Sequence, residues 1–177
     1  MSRRRAFAAC LALCLVWLPA GAEPLPPMRV QVVTASAWPS IDVDRTRDLF
    51  THVDLGLELP LYRALTMGVR ATPAFFYRAG NGHQVFGIGF GLDTSLYFRG
   101  SIHTGPYVAL GSGPLWTHGN FAGNASRLNL LSRLSVGWKF TRYPFRLAAT
   151  LEHISNGDTA KPNHGVNGLG VVLGLEL

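Results

Sequence analysis

Cysteine is scarce in this chain of 177 residues: the two present, Cys10 and Cys14, both lie near its start. A disulfide framework is therefore excluded for the bulk of the chain. Charge is sparse as well, with Asp, Glu, Lys and Arg supplying 15% of residues. Beyond the Arg3-Arg4-Arg5 start no clustered basic stripe or aromatic-basic motif is present, which removes the main support for nucleic-acid binding. Beyond Pro19 no segment approaches the roughly 18 apolar residues that a membrane helix needs. His52, His103, His118 and His164 are scattered without metal-ligand spacing, so no metal is expected. The glycine run G-I-G-F-G-L, Gly87 to Leu92, falls inside an apolar alternation rather than at a strand-to-helix turn. It reads as close packing, not as a nucleotide loop.

What is present begins with a targeting segment. The basic start M-S-R-R-R leads into a short apolar run and ends on Ala20-Gly21-Ala22. A basic region, a short apolar stretch and a small-x-small end are the marks of a secretory signal peptide. Residues 1–22 are expected to be removed, leaving residues 23–177 as a single β-barrel domain beginning at Glu23. Both cysteines leave with the signal, and so do Arg3, Arg4 and Arg5, which lowers the formal charge from +6 to +3.

The remainder alternates with period two, the period of a strand with one apolar face. Val53, Leu55, Leu57, Leu59 and Leu61 alternate with His52, Asp54, Gly56 and Glu58. Phe86, Ile88, Phe90 and Leu92 alternate with Gly87, Gly89, Gly91 and Asp93. From Arg127 to Phe140, Leu128, Leu130, Leu134, Val136, Trp138 and Phe140 share one side. Eight strands are expected, starting near Arg29, Thr51, Leu65, Gln84, Ser101, Ser126, Phe145 and Gly168. Most run about 8–15 residues, enough for a tilted membrane strand of about 9–11. Short turns such as Arg99-Gly100 and Tyr143-Pro144 fit an antiparallel up-and-down barrel.

Such a barrel has its apolar faces either inside, as in a soluble lipid-binding barrel, or outside, as in an outer-membrane barrel. The polar faces here are rich in glycine and carry few charges, of both signs: Asp54, Glu58, Arg70, Asp93, Arg133, Arg146 and Glu152. That composition suits the crowded interior of an eight-stranded barrel. Large aromatics near strand ends (Phe75, Tyr77, Phe98, Trp138, Phe140) read as an interfacial girdle. The expectation is an all-β, eight-stranded antiparallel outer-membrane barrel. The L-E-L ending departs from the aromatic end of many such barrels, although Leu177 stays in phase with Leu169, Val171, Leu173 and Leu175.

One stretch breaks the apolar face. Phe145, Leu147, Ala149 and Leu151 lead on the same parity to His153 and Ser155. Parity directs both outward and brings Asn167, at the start of the last strand, beside them. A serine needs a base to take its proton and hydrogen-bond donors to hold the oxyanion. Asn156, Gly157 and Asn163 in the connecting loop are candidates for the donors. The plainer reading is a strand end followed by an Asn-Gly turn.

The stretch H-I-S-N-G followed by P-N-H-G-V-N resembles the C-terminal signature of lipid A 3-O-deacylases, the PagL family. The resemblance covers about the last thirty residues. It implies an outer-membrane barrel acting on lipid A of lipopolysaccharide, with Ser155 as nucleophile, His153 as general base and no cofactor. It also implies an acid near the position of Asn167, where this chain has an amide as the possible orienting residue. Two alternatives stay open: a non-catalytic outer-membrane barrel or inactive relative, and a soluble periplasmic lipid-binding barrel.

Overall fold

The structure is a computed structural model, which describes residues 29–42, 47–62, 64–98, 104–140 and 142–176, with backbone alone for 29–39. The signal sequence, the Arg99-Gly100 turn, His103 and Leu177 lie outside the described residues. The described residues form eight strands: β1 (Arg29–Pro39), β2 (Leu49–Tyr62), β3 (Leu65–Arg78), β4 (Gln84–Tyr97), β5 (Gly105–Thr117), β6 (Leu128–Lys139), β7 (Phe145–Ser155) and β8 (Val166–Glu176). Each pairs antiparallel with its sequence neighbours, and β1 pairs with β8 to close the barrel. Closure leaves no edge of this sheet unpaired, which prevents edge-to-edge association.

The apolar parity faces outward. Phe86, Ile88, Phe90 and Leu92 of β4 are each more than half exposed, as are Leu169, Val171 and Leu173 of β8. The polar parity faces inward and is neutralised there. Arg133 bonds Asp93 at 2.6 Å and Asp54 at 2.9 Å, while Arg70 bonds Asp93 at 3.2 Å. Glu152 is fully buried and meets His52 Nε2 at 3.0 Å. Nearer the short-turn end, Arg146 pairs with Glu58 at 2.7 Å and with Glu176, and Lys139 pairs with Glu176 at 2.9 Å. Gly91 makes room for this network, since a Cβ there would lie 2.6 Å from Arg70 Nη2.

Two consequences follow for the alternatives. Among the described residues the interior is filled by paired charges rather than lined by apolar side chains fit for a lipid. An inner void of about 60 Å³ is lined by Glu58, Asp93, Arg133 and Arg146 among others. The apolar surface lies where a soluble lipid-binding barrel would be polar.

One expectation is corrected. Phe75 and Tyr77 are not girdle residues; they are buried, at 2% and 0% exposure, and pack inside against Phe121. Up to Thr72 the even residues of β3 point inward, and from Phe75 the odd ones do. The β3–β4 register shifts between Thr72 and Phe75, across Pro73-Ala74. Proline cannot donate to the ladder and marks such bulges, and one extra residue reverses the parity beyond it. Phe50, Phe75, Tyr77 and Phe121 thereby close the long-loop end of the interior, and Tyr77 donates its hydroxyl to Asp48.

Candidate active site

The outward parity of β7 holds to its end. Glu152 turns inward, and His153 is exposed on the outer wall with Ser155 half-buried two residues beyond it. Asn167 of β8 is the direct cross-strand partner of His153, as the hairpin parity predicts. Asn167 Oδ1 lies 2.8 Å from His153 Nδ1. An amide oxygen only accepts, so the ring carries its proton on Nδ1 and leaves the Nε2 lone pair free. Ser155 makes no side-chain hydrogen bond among the described residues. Resting sites commonly show such loose nucleophile–base geometry, which tightens with substrate bound.

The loop candidates for the oxyanion separate clearly. Asn156 is buried, and its donors are committed: its N–H donates to Asn163 Oδ1 at 3.0 Å, and Nδ2 donates to Asn124 Oδ1 at 3.0 Å and Ala160 O at 2.9 Å. It is therefore a brace of the loop and not an oxyanion donor. Asn163 joins the same brace, accepting from Asn156 and donating to Asp158 at 3.0 Å. Asp158 is thus held within its own loop. Gly157, at φ +61°, keeps a backbone N–H without a partner among the described residues and follows Ser155 closely. A residue with a Cβ would be strained at that φ.

Three contributors had no signal in the sequence pattern. Asn124, on the β5–β6 loop, bonds Asn156 and ties that loop to the β7–β8 loop. Gly165 lies against the imidazole, where an added Cβ would come within 2.7 Å of His153 Cε1. Asp42, just beyond β1, receives Asn167 Nδ2 at 2.7 Å and the Asn167 N–H at 2.8 Å.

Along the outer wall, Ser112 of β5, Ser132 of β6, His153 of β7 and Asn167 of β8 are successive cross-strand partners. They form one polar row on an otherwise apolar surface, with the Ser112 and Ser132 hydroxyls 2.9 Å apart. A groove of about 450 Å³ opens beside it, lined by Leu92, Leu110, Leu134, Leu151 and His153 among others. No other described histidine belongs to this row. His52 is inside the barrel, His118 Nδ1 accepts the Phe86 N–H at 2.9 Å, and His164 sits in the β7–β8 loop with its N–H on Gly123 O.

Arranged this way, the wall joins an imidazole in the general-base tautomer, a serine on the same face and an apolar groove. Gly165→Ala is expected to move the ring while the barrel stays closed. A ring displaced by about 1 Å loses on the order of a hundredfold in rate, read as kcat on an ester substrate beside an unchanged gel shift of the folded barrel.

Comparison with known proteins bears on the same residues. The crystal structure of the outer membrane enzyme PagL superposes with a TM-score of 0.68 at 18% identity, covering 81% of this chain and 97% of that one. At that identity the likeness speaks for the fold. A search of curated protein sequences found no match. The family described as lipid A 3-O-deacylase (PagL) matches over residues 40–176, which takes in Asp42, His153, Ser155, Gly165 and Asn167 alike. A match across more than half of the sequence, on a barrel of the same fold, settles the relationship: the chain belongs to the lipid A 3-O-deacylase (PagL) family.

Proposed function

We propose that this protein is an eight-stranded outer-membrane barrel that hydrolyses the 3-O-linked 3-hydroxyacyl ester of lipid A by a serine–histidine mechanism. Residues 1–22 are its cleaved export signal. The observation that carries the reading is the placement of His153 and Ser155 on the apolar outer wall, beside a groove open to acyl chains. An apolar surface this continuous is foreign to a soluble monomer and suits hydrocarbon. The long loops mark the extracellular end in barrels of this kind, and the site lies at that end. The scissile carbonyl of a membrane-embedded lipid therefore reaches Ser155 without leaving the bilayer.

Ser155 Oγ attacks the ester carbonyl carbon while His153 Nε2 takes the hydroxyl proton. The negative charge that develops on the carbonyl oxygen is met by the Gly157 N–H. Collapse of the tetrahedral intermediate breaks the bond to the sugar oxygen, which receives the proton from Nε2. The acyl-serine is then hydrolysed by a water that gives its proton to the same nitrogen. The 3-hydroxy fatty acid leaves and Ser155 is regenerated. Every proton transfer runs between Ser155, His153, the sugar oxygen and water.

Mass spectrometry of lipid A incubated with the detergent-folded protein tests the reading. The expected product has lost one 3-hydroxyacyl chain, with the free 3-hydroxy fatty acid recovered in equal amount. Unchanged lipid A beside a fully folded barrel would reject it in favour of the non-catalytic barrel.

A further inference from the structure

In a serine–histidine site, an amide at the orienting position is a hazard. An asparagine that turns its NH₂ towards the imidazole stabilises the tautomer with the proton on Nε2, and that ring cannot accept a proton from serine. In the trypsin-type triad, replacing the aspartate by asparagine lowers kcat about 10⁴-fold for this reason. Asn167 occupies the equivalent place here. Something must hold its oxygen, rather than its nitrogen, towards His153.

Asp42 does so. Its carboxylate can only accept hydrogen bonds. Oδ1 takes Asn167 Nδ2–H at 2.7 Å and Oδ2 takes the Asn167 backbone N–H at 2.8 Å. Flipping the amide would set its carbonyl oxygen against the carboxylate and lose a charge-assisted bond. The segment carrying Asp42 is itself fixed. Ile41 N–H donates to Asn167 O at 3.0 Å, Ser40 bridges to Gly168, and the Asp42 N–H donates to Ser40 Oγ at 3.2 Å. The acid thus grips the side chain and the backbone of one residue from an anchored position.

We propose that Asp42 is the positioning acid of this site: it sets the Asn167 amide, which sets the His153 tautomer, so that a histidine–asparagine–aspartate chain replaces an acid bonded directly to the imidazole. The proposal deepens the deacylase reading and rests on it for its kinetic consequence. The carboxylate also places a negative charge behind the amide, where it polarises the Asn167 carbonyl towards the imidazolium formed during acyl transfer.

The test combines a tautomer measurement with a charge exchange. With ¹⁵N-labelled histidine in the detergent-folded barrel, His153 is expected in the Nδ1–H form. Asp42→Ala is expected to shift the ring towards the Nε2–H form and to lower kcat about a thousandfold, with KM nearly unchanged. The exchange Asp42→Asn with Asn167→Asp reverses donor and acceptor along the chain and keeps its length. It brings a carboxylate to His153 directly and is expected to restore the Nδ1–H form and most of kcat. Asn167→Asp alone sets two carboxylates against each other and is expected to be less active than the exchanged pair.

A purely structural Asp42 gives the opposite pattern, with the tautomer unmoved by Asp42→Ala or the exchanged pair no better than either single variant. Either result overturns the proposal. If Asp42→Ala does not fold, the isosteric exchange decides alone. The tautomer is read without substrate, so a protein that leaves lipid A intact but whose ring responds to Asp42 loses the deacylase reading and keeps this one.

Discussion

Ser155→Ala is expected to abolish release of the 3-hydroxyacyl chain, lowering the rate by at least about a thousandfold while the barrel folds as before. Loss of the nucleophile leaves only oxyanion stabilisation and binding, and in serine hydrolases kcat then falls by up to about 10⁶. The fold is spared because Ser155 makes no side-chain hydrogen bond among the described residues and sits at a strand end. Its backbone pairing with Leu130 survives truncation to alanine. The measurement is lipid A mass spectrometry beside the heat-dependent gel shift of the folded barrel. Retained deacylation in this variant would move the nucleophile elsewhere and undo the mechanism. His153→Ala in parallel separates the base from the nucleophile, and the two losses are expected not to add, because both groups serve one step.

The second large effect is on stability. Arg146→Ala is expected to destabilise the folded barrel by about 3–5 kcal/mol, the usual cost of removing one partner from a buried ion pair. Arg146 is buried, meets Glu58 and Glu176 together, and lies over the Tyr107 ring at 5.6 Å. Without it the buried Glu58 carboxylate loses its guanidinium partner, while Thr66, at 2.5 Å, and Tyr97, at 2.9 Å, still donate to it. Adding Glu58→Gln to Arg146→Ala is expected to recover much of the loss, since the uncompensated charge is gone. Denaturant unfolding of the refolded protein in detergent reads both values. The folded fraction of Arg146→Ala is expected to keep its kcat, because His153 lies seven positions further along β7, about 23 Å of strand. A loss of stability confined to Arg146→Ala and unrelieved by Glu58→Gln would show that guanidinium packing on Tyr107 matters more than charge.

Much of this was legible because strand parity is strict. Leu55, Leu57 and Leu59 face out and His52, Asp54 and Glu58 face in, as their alternation requires. The same rule places Glu152 inside and pairs His153 with Asn167 across the hairpin. Parity also explains the failure at Phe75 and Tyr77, since one bulge at Pro73-Ala74 inverts every later side chain and has no firm one-dimensional mark. The Asn156 brace was hidden for another reason. Asn-Gly reads as a turn, and whether its donors are free depends on Asn124, which lies on a different loop. Asp42 was hidden most deeply, because nothing local distinguishes Ser40-Ile41-Asp42 from the end of any strand.

That last residue links the chemistry to how the barrel is put together. Asp42 and Asn167 are 125 positions apart in the chain, and they meet where the first strand docks on the last. His153 and Ser155 share a single strand and exist as neighbours in any partly built sheet. The bonds from Asn167 to Asp42, which we propose set the amide, do not: they form when the seam closes. On the deacylase reading proposed above, an immature, open barrel would carry Ser155 and His153 without a set amide, and the onset of hydrolysis would time the completion of assembly.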